Sequence, residues 1–352
     1  MKGLFKTLHC LYQHQFIIMK KIALFIIACA GLTFISLNTS AQNYVLDKTI
    51  AVPGNGGYDY AFIDQANSTL YVSHGTEVNV IDLKTETVKG TITGMQGVHG
   101  VAVDNELNKG FISDGKADQV IVFDLSTLAI ITRAPLDHKG ADAIIFDPSS
   151  KMIFTFNGHS NSSCIVDPQS MKQIAAIDMG GAPEFAVADG KGLIYNNLED
   201  KSSLNIIDTK TLKVIKNYSL SPCGGPTGIT IDKENQKLFT VCRENKGLTV
   251  VDIPSGKLLQ TLPIGAGVDA VIYDPTTKLL VASNGDGTAT VFKQDAPDHY
   301  SLVQTLATRN RAKTMALDLS THKLYLPVAD FQQGTRNQIP GTFKVLVYWL
   351  KN

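Results

Sequence analysis

Short apolar segments of four or five residues recur along the chain, separated by polar turn residues. Their apolar positions alternate or run together and do not follow helical spacing, which predicts β-strands. In seven copies such a segment ends in an aspartate, and successive aspartates are 40 to 44 residues apart. These repeat aspartates are Asp64, Asp104, Asp147, Asp189, Asp232, Asp274 and Asp318.

Each copy contains further predicted strands. A second strand follows the turn after the repeat aspartate, as at residues 70–72, and a fourth strand follows a Thr or Ser turn, as at residues 213–216. The third strand ends in another aspartate in five copies, at Asp82, Asp124, Asp167, Asp208 and Asp252. Four short strands in about 42 residues is the period of a β-propeller blade.

The two ends of the repeat region complement each other. The seventh copy has strands near 314–317, 323–326 and 343–349 but no fourth strand, and one spare strand, 44–52, precedes the first copy. Pairing the two would remove an exposed sheet edge. We therefore predict an all-β fold for residues 42–352, a single domain that forms a seven-bladed β-propeller with four-stranded blades, closed by the N-terminal strand. The extra residues around 331–341 predict a surface loop in the last blade.

The first 41 residues have a different pattern. Lys20 and Lys21 precede an apolar run at 22–37, and a short polar stretch then ends at Ala41. This order predicts a signal peptide, residues 1–41, with residues 1–18 as an upstream extension. Acylation at Cys29 is the alternative. We expect an exported monomer, periplasmic or extracellular, without a membrane span after cleavage.

Charge narrows the choice of partners. The chain has 32 Lys and Arg and 32 Asp and Glu, and four of the lysines but none of the acids precede residue 42. The remaining chain is therefore acidic. It has no basic stripe, so we expect no nucleic-acid partner.

The repeat units resemble those of a known family. Segments such as HGVAVDNELNKGFISDG, followed by VIVFDLSTL, and GAPEFAVADGKGLIYNNLEDKSSLNIIDTKTLKVI are similar to the YVTN-repeat, YncE-like secreted bacterial propellers. The resemblance spans residues 44–352. It implies a propeller with a role in binding, at the cell surface or in the periplasm, and it supplies no catalytic residue.

The first strand of each blade lines the central channel, so the starts of all seven converge on one face, the mouth. Five residues before each repeat aspartate lies a polar side chain, and these positions form an inner ring of Asp59, His99, Asp142, Glu184, Thr227, Asp269 and Lys313. The second strands end on the same face. Their polar end residues predict a surrounding outer ring of His74, Asp114, Asn157, Asn197 and Asn284.

Four carboxylates in one small ring repel each other. Lys313, Arg311 and Arg309 of blade seven, a bound cation or amine, or proton uptake would offset that repulsion. A rim that only satisfies backbone groups is the alternative to a ligand site. The most specific interpretation is a divalent cation, whose candidate ligands are Asp59, His99, Asp142, Glu184 and Asp269.

The cysteines and the single tryptophan bear on cofactors. Cys223 and Cys242 are expected at the same end of blade five, which predicts a disulfide in an oxidising compartment, or a reactive thiol pair. Cys164 lies mid-strand and is predicted to be a small buried apolar residue. With only Trp349, for which we predict blade packing, the chain lacks repeated tryptophan docking motifs. We therefore expect no quinone cofactor.

Three functions remain open on the sequence. The first is an exported binding module that takes a small polar, cationic or peptide ligand at the mouth. The second is a scaffold for another envelope protein, using blade tops, outer faces or the loop at 331–341. The third is a metal-assisted hydrolase, lactonase or lyase that uses His99 with the neighbouring carboxylates. No nucleophile elbow, phosphate loop or paired-histidine zinc motif is present.

Overall fold

Seven four-stranded antiparallel sheets make up the part of the chain that the computed structural model describes, residues 42–335 and 337–351. The predicted signal peptide, with Lys20, Lys21 and Cys29, lies outside the described residues. Among those described, no helix has the length and apolar character needed to cross a bilayer. The predicted seven-bladed propeller is confirmed.

The first strand, β1 (Asn43–Ala51), belongs to the last blade, and blades one to three follow it in the chain. From the channel outward, their strands are β2 (Tyr58–Asp64), β3 (Thr69–His74), β4 (Glu77–Asp82) and β5 (Thr87–Ile92); β6 (Val98–Asp104), β7 (Lys109–Asp114), β8 (Gln119–Asp124) and β9 (Ile130–Pro135); and β10 (Ala141–Asp147), β11 (Met152–Asn157), β12 (Ser162–Asp167) and β13 (Lys172–Asp178).

Blades four to six have the same order. Their strands are β14 (Pro183–Ala188), β15 (Leu193–Leu198), β16 (Ser203–Asp208) and β17 (Lys213–Ser219); β18 (Pro226–Asp232), β19 (Lys237–Cys242), β20 (Gly247–Asp252) and β21 (Leu258–Pro263); and β22 (Val268–Asp274), β23 (Leu279–Asn284), β24 (Thr288–Ala296) and β25 (His299–Ala307). Three short 3-10 helices join second to third strands in blades two to four, at Gly115–Ala117, Gly158–Ser160 and Glu199–Lys201.

The repeat aspartates hold the turns on the face opposite the mouth. Asp64, for example, accepts hydrogen bonds from the backbone N–H groups of Ala66 and Asn67. The other six, and the five that end third strands, accept equivalent bonds from residues two to four positions later. Aspartate favours such turns because its short side chain replaces a backbone acceptor.

The core lies between blades rather than within one central mass. Val78 and Val80 of blade one, for example, share a buried cluster with Val101 and Ile112 of blade two, and none of them is more than 4% exposed. Equivalent clusters fill the other blade interfaces. Each blade therefore depends on both of its neighbours for burial.

Blade seven contains β26 (Ala316–Asp318), β27 (Lys323–Val328) and β28 (Lys344–Lys351), and β1 pairs antiparallel with β28 as its fourth strand. Closure by the N-terminal strand is therefore confirmed, as is a long connection between β27 and β28. Trp349 on β28 is 42% exposed, so the prediction that it packs within the blade holds only in part. It lies near the end of the strand, where the sheet borders solvent.

Closure gives the first testable prediction. Tyr44 on β1 is 1% exposed and packs among residues of blades six and seven, whereas Leu46 on the same strand is 55% exposed. We expect Tyr44→Ala to lower the free energy of unfolding by about 3 to 5 kcal/mol, because truncating a buried aromatic leaves a cavity. Urea denaturation measures this. Leu46→Ala is the matched control, and equal losses for both variants would contradict closure by Tyr44.

Candidate functional site

The innermost strands carry a β-bulge at the inner ring. In blade one, Tyr58 pairs with His74 and Ala61 pairs with Val72, so one residue of β2 is extra. Blades two to six have the same shift at the equivalent place. A bulge re-aims side chains, and here both Asp59 and the next residue, Tyr60, face the channel. This explains why the inner-ring side chains converge on the mouth.

Buried polar side chains tie the inner ring to the neighbouring blade. They lie near the ends of second strands, or in one case next to the ring itself, and donate to the backbone carbonyl of the next ring residue. These bonds are Ser113 Oγ to Asp142 O at 2.5 Å, Asn197 Nδ2 to Thr227 O at 2.7 Å, Ser283 Oγ to Lys313 O at 2.5 Å and Thr314 Oγ1 to Asp59 O at 2.6 Å. Such buried bonds fix the ring in position.

The predicted outer ring does not line the mouth. All five side chains are fully buried, namely His74, Asp114, Asn157, Asn197 and Asn284. The second strand is covered on both sides by other strands and by the adjoining blades, so its end is not exposed as the sequence pattern suggested. These residues hold the fold together and are corrected here from pocket residues to buried structural ones.

Four of the five outer-ring residues have partners nearby in the structure, and Asn197 bonds the next blade. His74 Nδ1 lies 3.2 Å from Asn79 Oδ1, and its ring stacks 3.8 Å from that of Phe343. Burial lowers the pKa of His74. The remaining contacts are Asp114 with the N–H groups of Gln96 and Gly97, Asn157 with Ser162, and Asn284 with Thr288 and Thr290.

Asn197 is also displaced by one register position. In blade one, the first residue of the innermost strand, Tyr58, pairs with the predicted outer-ring residue His74. In blade four the equivalent first residue, Pro183, pairs with Leu198 and not with Asn197. The turn in blade four is one residue shorter, not two, so Leu198 takes that place. Asn197 instead matches Ser113 and Ser283 as a link to the next blade.

His99 lies between two carboxylates of the inner ring. Its Nδ1 is 2.8 Å from Asp59 Oδ2 and 3.3 Å from Asp142 Oδ1. The three side chains are 23 to 34% exposed, so they face the mouth. Burial by itself lowers the pKa of His99, but the hydrogen bond to Asp59 and the charge of Asp142 outweigh it and raise that pKa.

The far side of the ring is paired differently. Asp269 is buried and accepts from both Lys313 and Arg243, and Lys313 Nζ also lies 3.9 Å from Asp59 Oδ1. Arg243 also forms an ion pair with Glu199, with its Nη1 2.6 Å from Glu199 Oε1. Asp269 is thus neutralised by two permanent cations and is not free to bind a ligand.

Glu184 and Asp142 are the carboxyl groups with the most perturbed protonation. Burial, the charge of Asp142 and a hydrogen bond with Glu199 raise the pKa of Glu184 to about 9. Burial and the charge of Asp59 raise the pKa of Asp142 to about 6, against the lowering effects of His99 and Tyr60. The ring therefore takes up protons where cations do not balance its charge.

Two other sequence expectations are corrected. Thr227 is fully buried, with its Oγ1 3.5 Å from Val268 O, so it does not contribute to the surface of the mouth. Arg311 does not offset the carboxylates, because its guanidinium lies over the Phe331 ring at 4.0 Å and donates to Thr335 O. The loop between β27 and β28 holds it there, and no ion pair joins Arg309 to the ring in the described part of the chain.

Two aromatic rings form the floor of the mouth. Tyr60 of blade one and Phe185 of blade four meet across the channel with ring centroids 4.3 Å apart, edge to face. Burial and the charges of Asp142 and Asp59 raise the pKa of Tyr60 well above its ordinary value. The sequence does not predict this pair or the roles of Arg243 and Glu199. The bulge would have indicated the two aromatics, since each directly follows an inner-ring carboxylate.

Cys223 and Cys242 form a disulfide, with Cα atoms 5.2 Å apart, as predicted. Cys242 directly precedes Arg243, so the bond braces the segment that carries this cation. Cys164 is buried, as expected, and its thiol is free.

A subset of the predicted metal ligands is brought together. Among the described residues, one group of three His, Cys, Asp or Glu side chains has donor atoms all within 4.8 Å of each other, namely Asp59, His99 and Asp142. Glu184 and Asp269 lie outside this group, because Glu199, Lys313 and Arg243 engage them. The five-ligand site is therefore reduced to three candidate ligands.

Comparison with known proteins supports the fold. No family model matches the chain. Antigen Lp49 of Leptospira interrogans (serogroup Icterohaemorrhagiae, serovar copenhageni, strain Fiocruz L1-130) is 24% identical over 186 residues, 51% of this chain and 40% of Lp49. The match thus spans less than half of that relative's length. It is consistent with a bacterial propeller, and membership of the YVTN-repeat, YncE-like family stays a prediction.

Several solved structures share the architecture. Kuenenia stuttgartiensis hydrazine synthase has a TM-score of 0.70 at 15% identity, covering 84% of this chain and 96% of its own. The β-propeller domain of Myceliophteria thermophila Cps50 (Swd1) has a TM-score of 0.69 at 13% identity, covering 88% and 100%. A chain of the mitotic checkpoint complex has a TM-score of 0.71 at 11% identity, covering 88% and 93%. At these identities the likeness shows the fold alone.

The protonation of Glu184 gives a prediction about pH. Its pKa of about 9 in the folded protein exceeds the ordinary 4.5, so between these values the folded state keeps a proton that the unfolded state releases. The stability that Glu184 contributes is therefore lost as the pH rises through this window. We expect the free energy of unfolding of Glu184→Gln at pH 8 to exceed that of the wild type by at least about 1.4 kcal/mol, the equivalent of one pKa unit. Urea denaturation of both proteins measures this difference.

At pH 4 that difference should vanish, since the carboxyl is then neutral in both states. Glu106→Gln, which removes an exposed acid on the opposite face, is the control and should leave the pH profile unchanged. A wild-type advantage at pH 8 would show that Glu184 is ionised in the fold.

The disulfide gives a prediction about stability. It closes a segment with a sequence separation of 19 residues, for which loss of the cross-link costs about 3 kcal/mol. We expect dithiothreitol to lower the urea midpoint of the wild type and leave the double variant Cys223→Ala, Cys242→Ala unaffected. Equal midpoints for the wild type with and without reductant would contradict a stabilising bond.

Proposed function

We propose that the protein is an exported binding module that takes a small positively charged ligand at the mouth of its propeller. The observation that carries the proposal is the charge imbalance of the mouth. Five carboxyl groups, Asp59, Asp142, Glu184, Glu199 and Asp269, lie at the mouth, and in the described part of the chain two permanent cations, Lys313 and Arg243, form ion pairs with members of this set.

The imbalance is concentrated on one side. Both permanent cations are engaged by Asp269, with Lys313 also 3.9 Å from Asp59, while among the described residues His99 is the basic side chain that pairs with both Asp59 and Asp142. A unit positive charge about 4 Å from one carboxylate gains about 4 kcal/mol at an effective dielectric near 20. An arriving cation would therefore replace protons that the ring now takes up. An anion would gain nothing on this side.

The shape of the mouth supports a small ligand. Tyr60 and Phe185 meet across the channel below the ring, so a ligand entering from the mouth meets a floor. The inner-ring backbone is fixed to the neighbouring blades by buried hydrogen bonds. A site held this rigidly needs little ordering on binding.

Export rests on the apolar segment at 22–37 and on the disulfide, a bond that persists in oxidising compartments. The partly matching relative is named an antigen. The repeat units and the propeller fold support membership of the YVTN-repeat, YncE-like group. An envelope scaffold has no comparable charge or contact to favour it.

The test is a calorimetric titration of the protein with cations and with anions. Methylamine, putrescine and divalent metal chlorides represent the cations, and acetate and phosphate represent the anions. We expect at least one cation to bind and the anions not to bind. The double variant Asp59→Asn, Glu184→Gln should raise the dissociation constant of the cation about 10- to 150-fold. This range corresponds to the free energy of one hydrogen bond to a charged group.

Glu106→Gln is the matched control, because it removes an acid that is 75% exposed on the opposite face. It should bind like the wild type. Binding of anions in preference to cations, or an identical loss in the control, would overturn the proposal.

A further inference from the structure

The group formed by His99, Asp59 and Asp142 has more acceptors than hydrogens. His99 Nδ1 lies within 3.3 Å of two carboxylate oxygens, yet an imidazole nitrogen carries at most one hydrogen whether the ring is neutral or protonated. Asp59 Oδ2, at 2.8 Å, is the oxygen that the ring nitrogen bonds. Asp142 Oδ1 is buried and has no hydrogen-bond partner. An unpaired buried acceptor is costly, and a metal ion shared by the three side chains would engage this oxygen together with Asp59 and His99.

The separations suit a metal ion. Ligand bonds of about 2.0 to 2.2 Å to nitrogen and oxygen place neighbouring donor atoms about 2.8 to 3.6 Å apart in octahedral or tetrahedral geometry. The two separations from His99 Nδ1 are 2.8 and 3.3 Å, and all three donor atoms lie within 4.8 Å of one another. Small side-chain movements would place all three around one ion.

We infer that the mouth holds a divalent metal ion, bound by His99 Nδ1 and by one carboxylate oxygen each of Asp59 and Asp142. This inference rests on the proposed function, because it names the class of cation that the mouth takes. The three ligands come from three consecutive blades and are carried by three equivalent bulges. The partial exposure of the three side chains leaves further coordination positions open toward the mouth.

The donor set selects among ions. Ca²⁺ takes six to eight oxygen ligands and Mg²⁺ prefers an oxygen octahedron. One imidazole nitrogen with two carboxylates favours a borderline ion, and we assign Zn²⁺. Gly115 contributes space, because a Cβ there would come within 3.0 Å of His99 Cδ2.

The experiment measures metal directly. The full chain is purified without chelators and analysed by elemental mass spectrometry, then stripped with EDTA, dialysed and titrated with ZnCl₂, MnCl₂, CaCl₂ and MgCl₂ by calorimetry. We expect one ion per chain and a preference for Zn²⁺ over Ca²⁺ and Mg²⁺. His99→Gln and Asp142→Asn should each weaken Zn²⁺ binding at least about 100-fold, whereas His299→Gln should not change it.

His299→Gln is the matched control because His299 and Asp295 form a histidine–aspartate pair of the same kind, 3.1 Å apart, on the exposed surface of β24 and β25. Thermal unfolding of the stripped variants confirms that they are folded. Co²⁺ substituted into the site gives a second measurement, since its visible spectrum should change in His99→Gln and remain the same in His299→Gln.

Two results would overturn the metal assignment. One is Zn²⁺ binding that His99→Gln and Asp142→Asn leave intact. The other is binding of methylamine or putrescine without binding of any divalent ion, which would contradict the metal and retain the proposed function. No binding of either class of cation would overturn both.

Discussion

Closure of the ring is the constraint on which the rest of the structure depends. The mouth collects side chains from seven blades, so it exists only if blade seven meets blade one in phase. β1 pairs with β28, and Tyr44 enters the interface between blades six and seven. Gln304 of blade six bonds both the N–H and the C=O of Tyr44, each at 2.8 Å. A one-residue slip of β1 would break both bonds and turn Tyr44 outward, so this local contact fixes the register of the strand that closes the ring.

Within the closed ring, the bulge decides what the mouth is made of. In blades one and four it turns two successive residues toward the channel, a carboxyl group followed by an aromatic ring. In blade five the second residue is Gly228, where a Cβ would lie 2.7 Å from Asp269 O, so only glycine fits against the next blade. Tyr60 and Phe185 occupy the equivalent place in blades one and four and meet across the channel. The floor therefore needs two large side chains rather than seven.

The strand count, the closure and the inner ring are predictable because they follow from local patterns. Each aspartate turn is made by neighbouring residues, and its distance to the bulge along the first strand is constant. Prediction fails where a position depends on another blade. The outer ring is buried by adjoining blades, which no local pattern reveals. Leu198 replaces Asn197 because one turn is a residue shorter. Arg243 lies beyond the end of β19 and reaches Asp269 on the next blade, a contact that spacing does not encode.

The charge of the mouth is hard to explain by stability alone. Ion pairs at a partly exposed rim add little to folding, and unbalanced carboxylates oppose it, as the raised pKa values of Asp142 and Glu184 indicate. Blade five shows what the fold itself accepts at this position. Thr227 occupies the same place on its bulge, uncharged and buried, and its oxygen lies against the next blade. A hydroxyl is thus sufficient for the propeller to close. The carboxylates of blades one, three and four are then better explained by a ligand than by the fold, which supports a cation as their partner.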